Sequence, residues 1–329
     1  MAKLVTIFGG SGFVGRQVAQ QMARDGWRVR VAVRRPDEAL FTRAYGVVGQ
    51  VVPILCNIRD EASVRAALSG ADAAVNCVNI LHPQGKSNFT TVFETGAQIV
   101  ARLSAEMGVA RLVHLSGLGI DPESKSRYVA AKSRGEAAVL AARPDVVVLR
   151  PSVIFGPDDR FYNRIAAMTR RGPFMPLLAG RVKMQPVYVE DVALAAAKAA
   201  RGEAAPGIHE LGGPDVLTMR QISEQVLRSV DRKKVLLPVP KGIARIGATM
   251  LDMLQFLSGG LFTNNILSRD QLLLLTRDNV VSGRYPGFAE LGIQPVSAEA
   301  VIDSYLWPFR PGGQFHAANQ SARNLRGQS

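Results

Sequence analysis

The order of elements predicts an α/β fold, a doubly wound parallel sheet with a small C-terminal domain. Three observations predict it. Short β-branched runs alternate with amphipathic helical stretches through the first half of the chain. A glycine-rich turn, Gly9-Gly10-Ser11-Gly12-Phe13-Val14-Gly15, joins the first run to the first helix. After Pro151 the alternation gives way to a stretch punctuated by Gly156-Pro157, Gly172-Pro173 and Pro176.

Each element follows in order. Leu4–Phe8 reads as a strand, and a helix runs from the glycines to about Arg24. Arg28–Val33 and Gln50–Leu55 are the next strands. Asp60 caps a helix over 62–68, closed by Gly70. Ala73–Val78 is a fourth strand, and Phe93–Met107 a helix with Gly108 at its C-terminus. A fifth strand over 111–115, a helix over 128–142 and a sixth strand over 146–149 complete a Rossmann-type arrangement with right-handed crossovers. Beyond it come a short strand and Ala-rich helix over 187–200, a further strand at 208–211, and helices over 218–230 and 241–257. The boundaries are a Rossmann domain over 1–158 with 184–213 returning to it, a small C-terminal domain over 159–183 and 214–310, and an extended basic tail over 311–329.

Composition narrows the class. With 47% hydrophobic and 20% charged residues, the 329-residue chain can bury a large core, which excludes global disorder. No apolar run approaches the length of about 18 residues that a membrane-spanning helix needs. Two cysteines, Cys56 and Cys77, and four scattered histidines give neither a disulfide framework nor a metal site. A first strand starting near Lys3 leaves no room for a presequence, so a reducing cytoplasmic compartment is expected. Forty Lys and Arg against 27 Asp and Glu give a net charge of +13. That surplus suits an anionic ligand, lipid surface or acidic partner. Nucleic acid is not expected, because no basic helix with interleaved aromatics is present.

The glycine turn lets backbone N–H groups approach a pyrophosphate at the positive end of a helix. No acid ends the second strand to take a ribose 2′-hydroxyl. Arg34 and Arg35 stand there instead, which suits a 2′-phosphate and favours NADP(H) over NAD(H). Tyr128 and Lys132 are one helical turn apart and share a face. An ammonium beside a phenol favours the phenolate, so the pair suits acid/base work in hydride transfer, or simply holds a cofactor.

These motifs resemble those of extended and atypical short-chain dehydrogenase/reductases. That likeness implies a Ser or Thr just after the fifth strand, where Ser116 is available but the aligned position falls nearer Leu118. It also implies an Asn three residues before Gly96, where this chain has Phe93, and a longer loop before Tyr128. The cofactor half matches and the chemical half is degraded, leaving Tyr128, Lys132 and Ser116 as vestigial catalytic candidates.

More specific stretches follow: Leu149-Arg150-Pro151-Ser152-Val153-Ile154, Asp159-Arg160-Phe161-Tyr162-Asn163, Gln185-Pro186-Val187-Tyr188-Val189 and Leu291-Gly292-Ile293-Gln294. Over about residues 3–310 the chain resembles the NAD(P)H-binding accessory subunit of respiratory complex I, the NADH:ubiquinone oxidoreductase alpha-subcomplex subunit 9 family. The resemblance implies tightly held NADPH for structure, assembly or regulation near the membrane and quinone region. It implies partners in the hydrophilic arm and at the membrane interface, and a peripheral place on the cytoplasmic side of a bacterial inner membrane. Carried over by residue, Gly9, Ser11, Gly12, Phe13 and Gly15 meet the pyrophosphate and Arg34 and Arg35 the 2′-phosphate. Asn57 and Val78 lie beside the cofactor. Tyr128 and Lys132 reach the nicotinamide ribose, and Pro151 and Ile154 pack the ring. The alternative is a free NADPH-dependent reductase or epimerase. Residues 242–262 read equally as core or as an apolar face for lipid or membrane subunits.

Overall fold

The β-branched runs form the strands expected of them. In the computed structural model these are β1 (Leu4–Phe8), β2 (Arg28–Val33), β3 (Val51–Leu55), β4 (Ala73–Asn76), β5 (Arg111–Leu115) and β6 (Val147–Pro151). Short strands follow: β7 (Ile154–Phe155), β8 (Phe174–Leu177), β9 (Lys183–Met184) and β10 (Val187–Tyr188). The last are β11 (Gly207–Leu211), β12 (Leu217–Thr218) and β13 (Val235–Pro238). The helices are α1 (Phe13–Arg24), α2 (Glu61–Leu68), α3 (Ala97–Glu106), α4 (Arg127–Ala142), α5 (Tyr162–Met168), α6 (Val189–Arg201), α7 (Met219–Ser229), α8 (Arg269–Leu274) and α9 (Ala298–Leu306). The structure describes residues 2–83, 85–240, 242–247, 249–250, 269–275 and 277–315. Within the predicted 241–257 helix, residues 242–247 and 249–250 are helical, and the rest lies outside the described residues, as does the tail from 316 onward.

The chain divides into two compact units. The first comprises residues 1–152, 189–212 and 281–295. Its seven parallel strands run in the order β3-β2-β1-β4-β5-β6-β11. Reversal of strand order between β1 and β4 makes the crevice where such sheets bind ligands. One face packs α1 against α6, with Ala19 and Ala23 of α1 and Ala193, Ala196, Ala197 and Ala200 of α6 all buried. The other face carries α2, α3 and α4 over Phe8, Val64, Leu68, Val100, Leu103 and Val148. Edge strand β3 tolerates Pro53 because the even-numbered positions bond β2: Val29 N–H donates to Gln50 O and Cys56 N–H to Val33 O. The missing N–H of Pro53 therefore points outward.

Residues 281–295, which the sequence groups with the C-terminal domain, join this first unit. Glu210 fixes them: its carboxylate accepts from Ser282 N–H at 2.5 Å and its N–H donates to Pro286 O at 2.8 Å. Arg150, ion-paired with buried Glu136, lies over the Tyr285 ring at 5.2 Å.

The second unit holds 153–188, 213–280 and 296–329. It pairs β7 with β10, β8 with β13, and β9 with β12 around Phe155, Tyr162, Ile165, Ile222, Val226 and Leu306. Buried Asp159 accepts from the N–H groups of Gly156, Phe161 and Asn163 and from Tyr305 Oη at 3.0 Å. Burial pushes its carboxyl up, and those bonds pull it part of the way back. The Asp-Arg-Phe-x-Asn stretch thus owes its Asp to a structural anchor in this unit.

Candidate functional site

The turn after β1 is shaped by what glycine lacks. Gly9 has φ of +73°, and its N–H donates to Ala32 O at 2.9 Å. Gly12 N–H closes the turn on Gly9 O at 3.0 Å and starts α1 with no side-chain cap and no acid in the first turn. The positive end of α1 thus carries no protein counter-charge of its own. A Cβ on Gly15 would lie 2.3 Å from Gly9 O and 2.8 Å from Gly10 Cα, so only glycine lets the helix close on the loop. A Cβ on Gly9 would meet Val78 at 3.2 Å, which sets Val78 on the opposite wall. The cradle fits a pyrophosphate. Ser11 and Phe13 belong to it, with the Arg16 guanidinium over the Phe13 ring at 5.9 Å.

At the end of β2, Arg34 and Arg35 are both exposed, and they differ. Arg35 pairs with Glu38 at 2.8 Å, whereas Arg34 has no side-chain partner among the described residues. Asn57 is turned to its own loop, its Oδ1 accepting from Arg59 N–H at 3.3 Å and Nε at 3.2 Å.

A π-helical turn, Thr90–Gly96, leads into α3 and packs against α4. Gly135 permits the approach, because a Cβ there would fall 1.9 Å from Phe93 O. Phe89 and Phe93 stack at 5.8 Å and both meet the Tyr128 ring edge-on, at 5.6 and 5.4 Å. Lys132 Nζ sits 5.0 Å from the Phe93 centroid and 5.7 Å from that of Tyr128. The predicted Tyr–Lys face therefore exists, buttressed by the Phe that stands where related enzymes carry Asn.

Four groups near this pair have no sequence signal of their own. Asn79 Oδ1 accepts from Tyr128 Oη at 3.1 Å and from Lys132 Nζ at 3.4 Å. Asn76 Oδ1 accepts from Val78 N–H at 3.1 Å, which aims its amide nitrogen at His114 Nδ1, 3.3 Å away. His114 Nδ1 must then accept, which leaves its proton on Nε2. Burial, and then the Lys132 charge, push the imidazole down to about 3. Burial pushes the Cys77 thiol up to about 12 against the pull of Lys132. A cysteine so raised is a thiol, not a nucleophile.

Ser116 is buried, and its Oγ has no hydrogen-bond partner among the described residues. Leu118 is buried too, its N–H bonded to Pro151 O at 3.0 Å. Pro151 ends β6, whereas Ile154 lies in β7 of the second unit. Among the described residues no cluster of His, Cys, Asp and Glu could hold a metal ion, and no helix is long and apolar enough to cross a membrane.

Comparison with known proteins places this geometry. Residues 5–212 match the profile of the NAD dependent epimerase/dehydratase family. The chain is 32% identical to NADH dehydrogenase [ubiquinone] 1 alpha subcomplex subunit 9, mitochondrial, of Arabidopsis thaliana, over 94% of this chain and 79% of that protein. The chain belongs to the epimerase/dehydratase family, and within it to the alpha subcomplex subunit 9 proteins. A ceramide reductase of Caulobacter vibrioides is 30% identical over 58% of each chain. Among solved structures, the Bordetella bronchiseptica enzyme WbmH in complex with NAD+ matches with a TM-score of 0.61 and 18% identity, over 73% of this chain and 86% of that one. At that identity the match speaks for the fold alone. The family membership agrees with the resemblance read from the sequence.

Proposed function

We propose that this chain is an accessory subunit of respiratory complex I that holds NADPH as a resident group and does not turn it over on a substrate of its own. Identity of 32% across 94% of the chain carries the assignment to the complex. The closed glycine cradle carries the assignment of a dinucleotide. Gly9, Gly12 and Gly15 hold the pyrophosphate with Ser11 and Phe13, and Val78 walls the site. Lys132 and Tyr128 take the nicotinamide ribose, and Pro151, at the end of β6, belongs beside the ring. Arg34, exposed and with no side-chain partner among the described residues, meets the 2′-phosphate, with Arg35 second because Glu38 already engages it. Asn57 contacts the adenine end. A bound nicotinamide would be the hydride source in any reduction, and every other part of the site is this chain's own.

Docking belongs to the remaining surface. Ile243, Ile246 and Met250 are 63%, 64% and 67% exposed beside Arg245, an arrangement suited to anionic lipid headgroups at the cytoplasmic face of an inner membrane. The test is purification of the native membrane complex in mild detergent. Comigration with NADH:ubiquinone oxidoreductase activity at one copy per complex, with NADPH content unchanged during turnover, is the expected result. A soluble monomer absent from those fractions refutes it.

A second reading, a free NADPH-dependent reductase, draws on the intact Tyr128–Lys132 pair and the partial likeness to a ceramide reductase. Steady NADPH oxidation by the soluble protein with an aldehyde or ketone favours it.

A further inference from the structure

Lys132 Nζ can only donate hydrogen bonds, so the Asn79 side-chain atom 3.4 Å from it is the amide oxygen. Tyr128 Oη lies 3.1 Å from that same oxygen, which has no proton to offer. The phenol must therefore donate. A phenol has one proton and an ammonium has three. Committed to Asn79, Tyr128 has no second proton for a substrate, while its oxygen still accepts from a ribose hydroxyl and Lys132 keeps two further donors. The acceptor is itself an sp² carbonyl oxygen, the chemistry that a reducible aldehyde or ketone presents.

Packing holds the pair together. Phe89 and Phe93 both meet the Tyr128 ring edge-on, so the ring that carries the hydroxyl is held beside Asn79. Asn79 follows β4 by three residues, on the segment whose Asn76 and Val78 are bonded to each other.

We propose that the Asn79 carboxamide is a built-in carbonyl mimic that occupies the proton of Tyr128 and so suppresses carbonyl reduction while leaving cofactor binding intact. The proposal rests on the NADPH-holding reading above and deepens it to a residue. In the reaction so suppressed, a hydride from NADPH would reach the carbonyl carbon, the Tyr128 proton would reach the carbonyl oxygen, and NADP+ and an alcohol would leave. With the Asn79 oxygen in place, that proton is engaged, and a substrate carbonyl must displace the Asn79 hydrogen bond to receive it.

Two measurements on the full chain test it. In protein selectively labelled with 15N-asparagine and free of cofactor, the Asn79 side-chain amide signals are identified by their loss in Asn79→Ala. Tyr128→Phe is expected to shift them, and unchanged signals overturn the hydrogen bond. NADPH titration by fluorescence should then give Asn79→Ala an affinity within about threefold of the parent protein. With 4-nitrobenzaldehyde, Asn79→Ala should oxidise NADPH at least about tenfold faster than the parent, a gain that Asn79→Ala/Tyr128→Phe abolishes. Tight NADPH binding with no gain overturns the mimic and leaves the cofactor reading standing. A parent protein that binds no NADPH sinks the cofactor reading, while the amide spectrum still decides the hydrogen bond.

Discussion

His114 gives the sharpest quantitative prediction. It sits in the middle of the sheet on β5, opposite Asn76 of β4 and Val148 of β6. Burial, reinforced by Lys132, pushes its imidazole from 6.5 down to about 3. In the unfolded chain it regains the ordinary value. Between those two values the unfolded state binds a proton that the folded state refuses, so stability falls as pH falls. It is complete above pH 6.5 and is lost progressively toward pH 3. Each pH unit in that window costs about 1.4 kcal/mol. By pH 5 the penalty is about 2 kcal/mol, and over the whole interval it approaches about 5 kcal/mol.

The assay is urea unfolding of the full chain at pH 7.5, 6.5, 5.5 and 5.0, followed by circular dichroism, for the parent protein and His114→Gln. Gln keeps a neutral acceptor for the Asn76 amide. Asp159, whose raised carboxyl acts in the opposite sense, is common to both proteins and cancels in the difference. The parent should lose about 2 kcal/mol more than the variant between pH 7.5 and 5.0. Parallel curves would show that His114 is protonated in the fold or that the unfolded chain holds it neutral, and the burial argument would fail.

Two further predictions concern the cofactor. Gly15→Ala forces a methyl against the Gly9 carbonyl, so NADPH affinity should fall about ten- to hundredfold, the effect of about 1–3 kcal/mol of overpacking; fluorescence titration with affinity unchanged would show the loop does not touch the dinucleotide. Arg34→Ala should remove a charge-assisted contact of about 1.5–3 kcal/mol from NADPH and little from NADH. The NADPH-to-NADH affinity ratio should therefore drop at least about tenfold, and by less in Arg35→Ala because Glu38 already engages that guanidinium; an unchanged ratio for Arg34→Ala removes the 2′-phosphate assignment.

Most of the sheet could be read in the sequence because its signals are local. Asp60 accepts from Ala62 N–H as its N-cap position requires, and Gly70 and Gly108 take the left-handed conformation expected of helix ends, at φ of +67° and +68°. The alternation of β-branched runs with amphipathic helices suffices for a parallel order. What the chain does not announce locally is the fate of 281–295. A stretch of coil with no periodicity attaches to the first unit through Glu210, some seventy residues earlier, and no window of sequence contains both partners. The Asp159 anchor is visible as a motif with three local backbone partners, but the Tyr305 hydroxyl that ties it to the rest of its unit lies 146 residues away.

The same distinction explains the site. Gly9, Gly12 and Gly15 are spaced by the geometry of one turn, and Tyr128 and Lys132 by one turn of helix, so spacing alone reveals both. Phe93 and Leu118 register only as departures from a pattern, and each looks like the loss of a catalytic group. Together the replacements have a common physical sense. Phe93 supplies an aromatic face to Lys132 and an edge contact to Tyr128 in place of a polar group, and Leu118 is buried apolar surface where a hydroxyl would need a partner. Both changes put apolar side chains where the resemblance implies polar groups that a substrate oxygen would use. Asn79 completes the set from 49 residues upstream of Tyr128, a separation at which no sequence spacing points to it. On the proposed function, a site that keeps the donors needed to grip a dinucleotide and loses those needed to polarise a carbonyl separates holding the cofactor from using it.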